Sequence, residues 1–400
     1  MAEAAVLSEH RGVRMAAVVA ALALTACQSP PPDAPTPASP AATAAIATAT
    51  PVPPPRATPS PTPTDFVEPP GVRARPAGAL PESFRFVGLE WAGHTQLWLV
   101  DLDRRRAPVV VASWYGPASP VGDHSIAADG KAVLISAKGA RGRVALYLLR
   151  TETGTVVTLF DEPDAIVISP RISPDGQRFA FTRMRDGAPS DDGIWAGSVT
   201  GGDLRRIVEQ QPAASVPRMS LGWSADSVWL AFITFTTRSE IALAHREGGP
   251  QVPVGDGDHV SFRRNPPEVL VAANGPTASR MYTFDLTTKR IDEVARGDRL
   301  AYVDPQWHPT LERFAYAQGG TAGGAGQIGF EVWVRNTDGT GASSVDLGRR
   351  VRAPRWSRDG TMLTAVGGGG GSVASVLELL SGRSIAVLCL RGGTPPADCA

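Results

Sequence analysis

Apolar residues in this chain come in short runs, each followed within a few residues by Gly, Asp, Asn, Ser or Pro. Val133-Leu134-Ile135, Phe179-Ala180-Phe181, Leu230-Ala231-Phe232, Val269-Leu270-Val271 and Phe314-Ala315-Tyr316 each follow a turn-type pair. Those pairs are Asp129-Gly130, Asp175-Gly176, Asp226-Ser227, Asn265-Pro266 and Pro309-Thr310, with Asp359-Gly360 opening a further unit and Glu82-Ser83 standing as a degenerate first. Runs this short, bounded by turn residues, predict strands rather than helices. Ahead of most pairs another strand ends in a large residue plus Ser or His: Ile172-Ser173, Trp223-Ser224, Trp307-His308 and Trp356-Ser357. Behind them a third strand alternates apolar and aromatic residues, as in Leu97-Trp98-Leu99-Val100, Ile194-Trp195 and Val332-Trp333-Val334. Turns such as Thr153-Gly154, Gly201-Gly202 and Asp338-Gly339 supply residues that tolerate positive φ. A fourth strand closes each unit, for example Val156-Val157-Thr158-Leu159.

Four strands per unit, repeating about every 45 residues, predict an all-β chain folded as a β-propeller of four-stranded blades. Seven units can be counted, with six or eight as alternative counts. The first has no convincing inner strand, because 71–79 contains Pro76 and little apolar material. Ring closure therefore borrows a strand from the C-terminal end, or the first blade stays incomplete. The run Pro170-Arg171-Ile172-Ser173-Pro174-Asp175-Gly176, with the Phe-rich strand, Ile194-Trp195 and Gly201-Gly202 behind it, resembles the TolB-type, WD-like propeller repeat. Trp356-Ser357-Arg358-Asp359-Gly360 keeps the same turn. The resemblance spans about residues 80–390 and implies a fold, not a chemistry.

The N-terminus predicts an address. Arg11 and Arg14 precede the apolar stretch Met15–Ala26, too short to span a bilayer as a helix, which takes about 20 residues. Leu24-Thr25-Ala26-Cys27 resembles the bacterial lipobox, which implies a signal peptide over 1–26 and a lipid-modified (palmitate-type) Cys27. A plain signal peptide cut near Ala26 is the alternative. Several acyl chains would give stable anchoring on the outer face of the cytoplasmic membrane, or on the outer membrane of a diderm cell. Residues 27–80 predict a disordered tether, whose Pro-, Thr- and Ala-rich part, 28 to about 70, reaches as much as ~120 Å if extended at about 3.1 Å per residue. The propeller is expected over 81–390 and a tail over 391–400. Cys389 and Cys399 flank Gly and Pro residues, and outside the cytoplasm a disulfide between them is the expected state, two free thiols the alternative.

Composition then narrows the chemistry. Lys plus Arg equals Asp plus Glu at 39 each, so no basic field favours nucleic acid. Three cysteines at the chain extremities argue against a thiolate metal site, and no cofactor is expected. The six histidines lack helical metal-site spacing and no GxSxG elbow occurs, so no catalytic set is expected. His308 fills a slot that Ser occupies elsewhere, which points to a turn role. Gly324-Ala325-Gly326-Gln327-Ile328-Gly329 fits GxGxxG but runs into a strand, so it is read as a loop rather than a dinucleotide site. The acidic loops Asp256-Gly257-Asp258-His259 and Asp191-Asp192-Gly193 offer too few oxygens for calcium. The inner strands instead offer Arg171, Gln306 and Arg355, each just before the large residue, either as a channel funnel suited to an acidic group or as mere channel solvation. Trp114-Tyr115 is either an aromatic contact for a peptide or sugar or a packed loop. The expectation is a monomeric, membrane-tethered extracytoplasmic binding or scaffold protein for a protein, peptide or envelope polysaccharide. The alternative is a carbohydrate-binding or hydrolytic propeller, glycosidase- or peptidase-related.

Overall fold

The computed structural model describes residues 72–390 apart from 82–83, 92–93, 103–108, 116–123, 140–142, 186–191, 211–217, 236–237, 264, 266, 276–277, 322–326, 346–350, 358, 368–371 and 379–382. Cys27, the signal and tether up to residue 71, the tail and Cys399 lie outside the described residues. So does the side chain of Cys389, whose backbone belongs to the strand Arg383–Leu390.

Among the described residues, twenty-eight strands form seven four-stranded antiparallel sheets. Six sheets, here blades 2 to 7, are simple meanders over 124–160, 165–209, 219–256, 259–298, 300–345 and 351–390. Period-2 alternation explains how one strand serves two neighbours. Val269 and Val271 of blade 5 pack with Ile241 and Leu243 of blade 4. Leu270 and Ala272, on the other face of the same strand, pack with Trp307 and Phe314 of blade 6. Equivalent layers lie between blades 1 and 2, 2 and 3, 3 and 4, and 6 and 7. Burying both faces explains why the middle strands read as continuous apolar runs.

The Ser-x-Asp-Gly segments are turns, as their composition predicts. Ser173 Oγ donates to Asp175 Oδ1 (2.5 Å) and accepts from Arg178 N (2.9 Å), while Gln177 N donates to Asp175 Oδ1 (3.0 Å). Gly176 takes φ +68°. The same bonds recur at Ser357, Asp359 and Thr361, and around Ser224 and Asp226, where Ser227 holds the left-handed position at φ +60°. His308 does the work of the serine: its Nδ1 accepts from Thr310 N (3.1 Å) and Leu311 N (3.0 Å).

Blade 1 departs from the expectation. Its order from the inside is Phe84–Trp91, His94–Asp101, Val109–Tyr115 and then Val72–Ala74. The propeller thus includes Val72–Ala74, ahead of the expected start at 81, because Val72, almost wholly buried, pairs with Trp114 along the outer edge of the blade. Among the described residues no sheet mixes strands from both chain ends. The innermost strand also runs opposite to its neighbour His124–Ile126. A side chain on Gly130, beyond the end of that neighbour, would overlap Phe84, and one on Gly88 would overlap His124 at its start. Trp114 is a core residue, 1 % exposed and set edge-on to His124 at 5.8 Å, so it is not a ligand contact. Tyr115 ends the same strand, with its side chain outside the described residues.

Candidate functional site: a basic level in the central channel

In blades 2 to 7 the innermost strand carries a large apolar residue at its end or, in blade 5, one place before it. Ile126, Ile172, Trp223, Phe262, Trp307 and Trp356 pair with Val133, Phe179, Leu230, Val269, Phe314 and Leu363. The residue before each therefore stands at one common level of the ring. Those residues are Ser125, Arg171, Gly222, Ser261, Gln306 and Arg355. No carboxylate stands among them.

Four of these strands reach that level through an irregular register, in blade 4 between Ser220 and Gly222 and in the three others between Ala180 and Thr182, Val303 and Gln306, and Arg352 and Arg355 as pairing partners. Ser169, Asp304 and Ala353 take φ of 50°, 53° and 51° there, each immediately before a proline. A left-handed non-glycine residue costs about 1–3 kcal/mol, and a bulge re-aims the side chains that follow. Those side chains are Arg171, Gln306 and Arg355. Each turns back on the carbonyl of its own proline: Arg171 Nη1 to Pro170 O (2.8 Å), Gln306 Nε2 to Pro305 O (2.6 Å) and Arg355 Nη1 to Pro354 O (3.0 Å). Arg171 Nε also donates to Leu221 O (2.7 Å) in the next blade.

The third cation was not visible in the sequence. Arg85, on the innermost strand of blade 1, donates through Nη2 to Ala353 O (3.1 Å) and through Nη1 to Thr364 Oγ1 of blade 7. It thereby bridges the seam where the ring closes. Burial, and then the like charge of Arg355, push Arg85 down to about 9 and Arg171 to about 10, so both stay protonated at neutral pH. Blades 3 and 7 are not neighbours, so the repulsion between Arg171 and Arg355 acts across the channel. Arg355 is open to solvent, yet protein surrounds it at the channel, and this lost hydration lowers it too, with Asp304 opposing. Among the described residues none of the three forms an ion pair.

The acidic loop has other work. Burial raises Asp258, although the charge of His259 and the Asn274 amide, donating to both carboxylate oxygens (3.1 Å each), oppose it. Asp304 Oδ2 accepts from Ala353 N (3.2 Å), and its Oδ1 is 3.6 Å from His259 Nδ1. Asp192 Oδ1 caps Arg185 N (2.6 Å). Ile328 and Gly329 of the GxGxxG match lie in the strand Gln327–Asn336, and 322–326 are outside the described residues. Among the described residues no group of three or more His, Cys, Asp and Glu is placed to hold a metal ion.

No family model matches the chain. Tricorn protease homolog 1 of Streptomyces coelicolor is 33 % identical over 108 residues, 26 % of this chain and 10 % of that protein. A solved prolyl endopeptidase superposes with a TM-score of 0.54 at 12 % identity, over 77 % of this chain and 50 % of its own. The propeller domain of the Trilobed protease from Pyrococcus furiosus, described as having an open velcro topology, gives 0.50 at 14 % identity, over 68 % and 83 %. TolB from Acinetobacter baumannii gives 0.42 at 12 % identity, over 74 % and 76 %. The fold is a β-propeller, as in the Trilobed protease domain. The chain spans half of the prolyl endopeptidase it resembles and a tenth of the tricorn homolog.

Proposed function

We propose that this chain is a lipid-anchored, extracytoplasmic propeller that recognises a protein or peptide at its channel and turn-bearing face, and that it does so without catalysing a reaction. The observation that carries this reading is the channel level itself, where Arg171, Gln306 and Arg355 are aimed inward by three strained bulges and present donors rather than a nucleophile beside a base. Strain of this kind collects where a side chain must be held for a ligand. The partial likeness to a tricorn protease homolog and the shared fold with prolyl endopeptidases support peptide as the ligand class. The lipobox-like Leu24-Thr25-Ala26-Cys27 supports the anchor, and the Pro-rich segment behind it supports a tether that lets the propeller meet its partner away from the membrane.

Two measurements test the reading. The intact mass of protein from its native envelope should begin at Cys27 and carry acyl chains; an unmodified terminus elsewhere ends the anchor. Mild cross-linking in the same envelope should trap a defined partner through photoreactive residues placed next to Arg355. Trapping nothing there, while residues on the outer strands trap partners freely, overturns the channel as the recognition site.

A further inference from the structure

The channel level shows an imbalance of charge and an opening. Around it stand Arg85, Arg171 and Arg355 with Gln306, two serine hydroxyls and Gly222. The hydroxyls of Ser125 and Ser261 are committed to the next blade, accepting from Ile172 N (3.1 Å) and Trp307 N (3.1 Å). A β-carbon on Gly222 would meet nothing within 4 Å, so the ring has free space beside Arg171, whose Nε is tied to the adjacent Leu221 O. The guanidinium groups are only partly used. Arg171 keeps Nη2, and Arg355 keeps Nε and Nη2, without a protein acceptor among the described residues. Every acceptor these three arginines do have is a neutral carbonyl or hydroxyl. The nearest acid, Asp304, holds Ala353 N with one oxygen and faces His259 with the other.

Three like charges from three blades, with Asp304 acting on Arg355 but none of the three in an ion pair among the described residues, form a receptor for an anion. A planar guanidinium fork matches a carboxylate two bonds at a time. Resting on the peptide-recognition reading above, we infer that the free donors of Arg171 and Arg355, beside the space at Gly222, bind a carboxylate of the recognised peptide, with Arg85 adding to the field and Gln306 a further amide donor. The carboxylate is either the peptide's C-terminus or an acidic side chain. An anion there also relieves the mutual repulsion that depresses Arg85 and Arg171.

The experiment uses the full-length protein and fluorescein-labelled hexapeptides read by anisotropy. One is hexa-alanine with a free C-terminus, one its C-terminal amide, one an amide with two central Glu, and one the same amide with two Gln. Arg355→Gln is the main variant, because Arg355 holds nothing but its own proline carbonyl and its loss leaves the blade contacts in place; Arg355→Lys keeps charge without the fork. A carboxylate-bearing peptide should bind roughly tenfold or more tighter than its neutral twin, and R355Q should erase that margin while R355K restores only part of it. Preference for the free terminus or for Glu names the source of the carboxylate. Equal binding of charged and neutral peptides, or a preference untouched in R355Q, overturns the inference and leaves peptide recognition standing. Inorganic phosphate that binds in an Arg355-dependent way, while no peptide does, overturns both and makes this a small-anion site.

Discussion

At the residue scale, turn positions that look alike in sequence differ in what surrounds them. Gly176 and Gly360 both follow Asp and both take positive φ, 68° and 75°. A methyl group on Gly176 would come no nearer than 3.7 Å to Ala127, whereas one on Gly360 would overlap the His308 ring and approach Pro309. Gly176→Ala should therefore cost about 1–2 kcal/mol, the left-handed backbone penalty alone, and Gly360→Ala about 1–3 kcal/mol more; urea unfolding of both variants checks the order. His308 makes a second prediction. Its Nδ1 accepts two backbone N–H groups, so Nε2 carries the proton and donates to Gly360 O (3.1 Å). Burial and then the Arg313 charge hold the imidazole below its ordinary 6.5, against the pull of Gly360 O and Asp359. The unfolded chain takes up the proton first, so this contribution is intact above about pH 6.5 and is lost as the pH falls through the lower folded value. The urea midpoint should drop between pH 7.5 and 5, and His308→Ser, which places here the residue found in three other turns, should lower it at pH 7.5 yet flatten that drop.

At the scale of the strand, neighbouring blades are stapled by one recurring bond. Trp223 Nε1 donates to Arg171 O (3.1 Å), and Trp356 Nε1 donates to Gln306 O (3.2 Å). Trp307 holds the equivalent position, but among the described residues its Nε1 has no acceptor, and its ring instead lies under Arg263 at 4.4 Å. Replacing each tryptophan by phenylalanine separates the bond from the ring. Trp223→Phe and Trp356→Phe should each lose about 1 kcal/mol more than Trp307→Phe, read from chemical denaturation of the three variants. Their place before the Ser or His of each turn made these positions legible; which indole finds a carbonyl depends on the facing blade.

For the whole molecule, the decisive feature is how the ring ends. Two devices absent from the repeat stand out: the short outer strand Val72–Ala74, which completes the first blade, and Arg85, which reaches across the seam to blade 7. Deleting 72–77 would uncover the edge of Val109–Tyr115 and the buried Val72 and Trp114 contact. Stability should fall by about 2 kcal/mol or more and the unfolding transition should broaden, because the first blade then loosens before the rest. An unchanged, equally sharp transition would show that this strand does not hold the first blade. Much of the architecture was legible from residues alone: strand alternation, the Ser-x-Asp-Gly turns, the number of units and the turn role of His308 all follow from local chemistry, which a few adjacent residues carry by themselves. The strand at 72–74 was hidden because three residues beside Pro76 have no pattern of their own and become a strand only against Trp114. Trp114 itself read as a candidate contact because an aromatic residue near a unit boundary looks the same whether it faces solvent or a neighbouring blade. Arg171, Gln306 and Arg355 could be picked out by their place before the large residue. That they share a level with Arg85, and that Arg171 feels Arg355 from a blade four places along, only the closed ring decides, since charge acts through space and these residues lie far apart along the chain.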